Sequence, residues 1–371
     1  MKSKYLGLFV FVLLIFSLTI SCKSSPAAPI DEFSDGYTQP SVGDYFTSAP
    51  SMALLSNLEA VSKSAEDARK LSLDFNGHLN FPQEWENAES LYDQAQSSRR
   101  TGTVEEVQDS IARYDAAIAA FEAMMEKSIA RYFQDLDNEI NEARNNALAV
   151  GAGYLTPDFL LEIDNEAEDA WALYRSGDYY RARDSAILAR DMYKALTIIV
   201  EAYNLRMEID ERDLFRFDPY NIIAADELAS SAMDDFVDRA IESAIIKAMD
   251  ARAMFAIALD RGKEGFALEW ANAASAERDK ALEARANIAL RVDFDAADSI
   301  FNQGLSYFRL RDFDQSAYHY MQSRGMFIIV TDAAWERRRI AEASLREASR
   351  RINESEDLAQ RAELIIGGGL P

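Results

Sequence analysis

From Met52 to about Leu364, alanine and larger apolar residues recur at spacings of three and four, with Glu, Asp, Arg and Lys between them. That period marks amphipathic helices, and no stretch keeps the two-residue alternation of a half-buried strand. The pattern predicts an all-α domain over residues 51–366. Turn residues interrupt it at Asp74 to Gly77, Gly151 to Pro157, Phe217 to Asn221 and Val292 to Asp295. Thr156 before Pro157, and Asp218 before Pro219, each offer a capping oxygen beside a proline suited to a first helical turn. No breaker lies between Val104 and Val150. One helix of about 45 residues is expected there, spanning about 65 Å at 1.5 Å per residue.

A longer-range repetition sits on top of the helical period. Ala167, Ala170, Tyr174, Ala182, Ala186, Ala189 and Tyr193 return 62 residues later as Ala229, Ala232, Phe236, Ala244, Ala248, Ala251 and Phe255. The same frame reappears as Gly304, Phe308, Ser316, Tyr320, Ser323 and Phe327, and a weaker upstream copy carries Pro82, Trp85, Ala88 and Tyr92 and ends at Phe121. Small residues let two helix backbones approach closely, and rings fill the wedge at the end of the contact. Self-similarity of this kind predicts a helical repeat array of about four units. Leu173-Tyr174-Arg175-Ser176-Gly177-Asp178-Tyr179, with Ala182 and Ala189, resembles the turn and second helix of the tetratricopeptide repeat family. Gly304, Tyr307, Asp312, Phe313 and Tyr320 resemble a second partial copy. The chain departs from that family in lacking the closing proline and in a period near twice the usual 34 or so residues. The resemblance implies a tetratricopeptide-like solenoid or an elongated helical bundle used for protein contact, with each second helix extended.

The N-terminal segment has a different character. Lys2 and Lys4 precede an apolar run from Leu6 to Leu18, which ends in Thr19-Ile20-Ser21-Cys22. The run is too short for a membrane-spanning helix of roughly 20 apolar residues, and it reads as a signal peptide over 1–21. Its end resembles the bacterial lipobox in the relaxed form of spirochaetal lipoproteins, with Thr19 three residues before Cys22. The resemblance implies a mature chain that begins at a lipid-modified (for example palmitoylated) Cys22 and is anchored in the cell envelope. The choice among the periplasmic face of the inner or outer membrane and the cell surface stays open. Residues 22–50, rich in Ser, Pro and Ala, read as a flexible tether, and 367–371 as a disordered tail.

Composition narrows the chemistry. Cys22 is the one cysteine, so an intrachain disulfide is excluded. A net charge of −24 repels nucleic-acid phosphates and anionic headgroups, which argues against nucleic acid as a partner. The two histidines, His78 and His319, are far apart and sit in no metal or nucleophile motif. Acidic groups such as Asp234, Asp235 and Asp238 lack the glycine and terminal glutamate of a calcium loop and read as solvated helix faces. No catalytic residue, metal site or cofactor is expected, and the chain does not read as an enzyme.

What remains is contact chemistry. Arg337, Arg338, Arg339, Arg346, Arg350 and Arg351 form a basic stretch in an acidic chain. Glu347 stands one turn from Arg351, and Glu342 can answer Arg338 or Arg346, so a self-paired helix face is one reading. The other is a docking surface in which Arg338, Arg339 and Arg350 meet an acidic partner, including the acidic face of a second copy. Most aromatics fall on the small-residue stripe as core, whereas Tyr180 and Tyr318 fall off it and are candidates for an exposed contact surface. The expected function is a membrane-anchored scaffold for envelope proteins. The alternative is a ligand-handling accessory lipoprotein that partners a transporter's solute-binding protein, which would require an apolar cavity.

Overall fold

The computed structural model describes residues 49–368. The signal segment, Cys22, nearly all of the tether and the last three residues lie outside them. Helix accounts for 91% of the structure, and the described residues contain no strand. Twelve α-helices run in the order α1 (Met52–Asp74), α2 (Gly77–Asn80), α3 (Pro82–Ser98), α4 (Val104–Ala149), α5 (Ala152–Leu155), α6 (Pro157–Ser176), α7 (Tyr179–Glu211), α8 (Pro219–Val237), α9 (Ile241–Glu283), α10 (Ala286–Ala289), α11 (Arg291–Arg309) and α12 (Phe313–Gly367). A single 3-10 turn, Phe215–Phe217, precedes α8.

Four helix pairs organise the chain. The shorter helices α3, α6, α8 and α11 each pack on the longer one that follows, and the long helices pack in succession, α4 on α7, α7 on α9 and α9 on α12. The core is accordingly divided. One cluster joins α1, α3 and α4, another joins α4, α6 and α7 and reaches Phe236 of α8 and Ile241 and Ala244 of α9, another joins α7, α8 and α9, and another α9, α11 and α12. Small residues set the close approaches, as expected. Ala182, Ala186, Ala189, Ala244, Ala248 and Ala251 are fully or almost fully buried. In the last pair Ser316 Oγ and Ser323 Oγ donate to the Gly304 and Ala297 carbonyls, which satisfies both hydroxyls between the helices. Tyr193, Phe236, Phe255 and Phe327 are buried rings at the ends of these contacts.

The joint that leads from α1 into the first pair and the three joints between successive pairs share one backbone conformation. Asn76, Gly151, Asp213 and Arg285 all have positive φ, each precedes a single helical turn, and each turn ends in a residue near φ −140°, ψ +55° (Phe81, Thr156, Asp218 and Leu290). Within pairs the turn residue is Gly177, Arg239 or Arg311, again at positive φ. The first pair differs, since a capping box between Thr103 and Glu106 opens α4 instead.

Three expectations need correction. The break foreseen at Val292 to Asp295 lies earlier, at Ala284 to Leu290, and Val292 to Asp295 already belong to α11. The reason is that a left-handed arginine, Arg285, makes the turn in place of glycine or asparagine. Thr156 and Asp218 stand at the N-cap positions with a proline in the first turn, as foreseen, but their side-chain oxygens make no cap hydrogen bond. Thr156 Oγ1 donates to the Ala152 carbonyl, and the Asp218 carboxylate accepts from Asn221 Nδ2 and Arg261 Nη1. The ordered helix also runs through Gly367. The uninterrupted helix foreseen between Val104 and Val150 is present as the 46 residues of α4.

Candidate functional site

Arg338, Arg339 and Arg350 lie together along the outer half of α12, and each is answered by a glutamate one turn away. Arg338 Nε donates to Glu342 at 2.9 Å, and its guanidinium lies over the Trp335 ring. Arg339 pairs with Glu336 at 2.7 Å, and Arg350 bridges Glu347 and Glu354 at 2.7 and 2.5 Å. All of these groups are exposed, so water screens the pairs and they add little to the helix. Tyr180 is far from them, at the start of α7. Its hydroxyl donates to Asp74 at 2.8 Å, its ring rests on Phe75, and desolvation with the Asp74 bond pushes its phenol up to about 12. Tyr180 thereby fastens α7 to the end of α1 while remaining 40% exposed. Tyr318, on the second turn of α12, is half exposed and accepts a hydrogen bond from Gln322. The structure does not bring the two tyrosines together.

A second arrangement escaped the sequence reading. Arg69, Arg144, Arg206 and Arg278 each direct Nε at an acid 20 residues later, Glu89, Asp164, Asp226 and Asp298, at 2.5 to 2.8 Å. Every arginine lies near the end of one long helix and every acid on the shorter helix of the next pair. In the second case Tyr193 also donates to Asp164. The Arg144 hydrogen bond, seconded by Tyr193, holds the Asp164 carboxyl below its usual range despite partial burial, and desolvation beside that carboxylate drives the Tyr193 phenol well up. The spacing was available in the sequence, but with 39 basic and 63 acidic residues only the fold shows which pairs matter.

One of these pairs borders a cavity. Leu155, Ile199, Val200, Tyr203, Ala229, Met233 and Phe255 line a space of about 470 Å³ between α7, α8 and α9, with Arg206 and Asp226 on its wall. Its origin can be read from matched positions, those a fixed distance after each left-handed joint residue. At the position of Ala229 the first and last pairs place Tyr92 and Phe301, and Trp171 stands where the third has Met233. Phe301 packs edge-on against Tyr320 at 5.1 Å, and Tyr92 against Phe121. The third pair has no such ring, and a space within the range of ligand sites is left.

Among the described residues no group of three or more His, Cys, Asp or Glu side chains could hold a metal ion, and no helix is long and apolar enough to cross a membrane. His78 packs against Trp85, and His319 stacks on Tyr307 at 5.0 Å. No family model, curated protein or solved structure matches this chain.

Proposed function

We propose that this chain is a helical-repeat scaffold of the bacterial envelope, a tetratricopeptide-like array of about four units held to the membrane by a lipid on Cys22. The observation that carries the array is the recurrence of one joint, a left-handed residue, a single helical turn and an extended residue, together with an arginine–acid pair that spans each joint. Helix pairs that pack chiefly in succession make long continuous surfaces, which suit contact with other proteins better than they suit catalysis. The signal-like segment ending at Cys22 supports the anchor. The test is crosslinking in intact cells followed by affinity capture, comparing the unaltered chain with Cys22→Ala. A discrete protein recovered in an anchor-dependent manner fits the scaffold, and its absence from both samples argues against it.

The cavity beneath Ala229 favours a second reading, a ligand-handling accessory that works with a transporter's solute-binding protein. Native mass spectrometry of the purified chain checks this. A bound apolar molecule that Ala229→Phe displaces would favour the accessory role. An empty cavity in both chains would favour the scaffold.

A further inference from the structure

The outer half of α12 is a helix without a neighbour. After Ala334 no residue is buried, although the helix continues for another 33 residues to Gly367. It does not wait for a further helix pair. Ala267, Ala274 and Ala281 of α9 are buried where the last pair packs, and the residues 72 positions later, which would receive the next pair, are Arg339, Arg346 and Asn353. Polar side chains there end the stacking, as terminal units of such arrays require.

A different stripe of the same segment is apolar and keeps a seven-residue period. Leu345, Ile352, Ala359 and Ile366 alternate with Ala341, Ala348, Ser355 and Ala362 at spacings of three and four. Leu345, Ile352 and Ile366 are 66%, 58% and 83% exposed. A heptad stripe sustained over four heptads is the seam of a coiled coil, with the larger residues at a and the small ones at d. The flanking charges choose the partner and its direction. In a parallel, in-register pair of identical helices the residue before each a position faces the residue after the next d position of the other chain. That sets Arg351 against Glu356, which has no ion-pair partner among the described residues, and Arg337 against Glu342. Arg337 also donates to the Ala289 carbonyl, so the Arg351–Glu356 pair is the more available of the two. Antiparallel pairing on the same seam would set Glu342 against Glu363 and offers no such match.

We propose that the stripe binds a second copy of this chain, so that the outer halves of two α12 helices form a parallel coiled coil that joins two arrays. This goes beyond the scaffold reading and does not depend on the lipid.

The experiment uses the full chain carrying Cys22→Ala, which removes any acyl group or thiol that could drive association. Sedimentation velocity at tens of micromolar should show a species of twice the chain mass. Leu345→Asp with Ile352→Asp should abolish it, while Ile340→Asp, equally exposed but off the seam, should not. Arg351→Glu should weaken the species, and adding Glu356→Arg should restore it. Direction is read by Ala348→Cys in the same background, where a parallel in-register pair brings the two thiols together and mild oxidation yields a covalent dimer. A monomer at these concentrations, or a two-chain species indifferent to the Leu345 and Ile352 changes, overturns the proposal. Failure of the Ala348→Cys chains to link overturns the parallel arrangement. All the side chains substituted in α12 are exposed in the single chain, so unchanged far-UV circular dichroism should accompany every one of these variants.

Discussion

At the scale of single residues, Asp164 shows how one ionisable group can join separate helices. It takes hydrogen bonds from Arg144 of the preceding pair and from the buried Tyr193 of its own, so one carboxylate ties three helices. Its folded-state carboxyl titrates below the ordinary 3.8, so as pH falls the unfolded chain takes up the proton first. The contribution of Asp164 is therefore complete above that ordinary value and is lost as pH drops through the lower, folded one. Tyr193 has the opposite sign at the other end of the scale. Its phenol is raised above 10, so the stability it confers is present below pH 10 and is lost as pH climbs toward its folded value. Asp164→Asn should cost about 1.5–3 kcal/mol at neutral pH, the scale of a hydrogen bond to a charged group. It should also flatten the acid limb of a denaturation-midpoint profile against pH. An unchanged acid limb would show that other carboxylates govern acid unfolding.

At the scale of elements, α12 is two structures in one helix. Its first 22 residues supply Phe313, Ala317, Tyr320, Phe327 and Ala334 to the core, and the remainder supplies none. Ending the chain after Ser344 should therefore leave the thermal midpoint of the body within about 1 °C, because no buried apolar contact is removed. A larger fall would mean that the outer half stabilises the body through contacts across chains. Much of this level was legible in the sequence. The helical period and the unbroken α4 are present, and most of the small residues singled out between Ala167 and Ser323 are buried, because small residues at helix crossings leave a direct imprint on composition. The joints were read less well. Gly151 and Asn76 announce themselves, whereas Arg239, Arg285 and Arg311 adopt the same left-handed conformation without a turn residue's signature. Arg239 and Arg311 gain from the position, since their guanidinium groups reach Glu166 and Asp260. The cavity was hidden for a similar reason. It is the absence of a ring at Ala229, and an alanine in an alanine-rich helix gives no sign that a neighbour's ring is missing.

At the scale of the whole molecule, the packing is sequential. α4 meets α7, α7 meets α9 and α9 meets α12, and the core is split into several clusters, the widest of which runs from α4 to the start of α9. In a structure of this kind the cost of a defect should stay near its origin, because distant pairs share few contacts through which to unfold together. Phe327 is the sharpest probe. It is fully buried, packs at a tilt against Phe294, and belongs to the cluster that joins α9, α11 and α12. Phe327→Ala should cost about 3–5 kcal/mol, the usual toll for emptying an aromatic site in a core. Native-state hydrogen exchange should then show lost protection in α11, in the first half of α12 and in the second half of α9. Protection in α1, α3 and α4 should hold, because none of these helices touches the cluster. Equal loss of protection along the chain would instead make the 316 helical-domain residues from 51 to 366 one cooperative unit, and the long helices would then have to carry the coupling. For the scaffold proposed above, the graded outcome would let one end loosen around a partner while the other end stays folded.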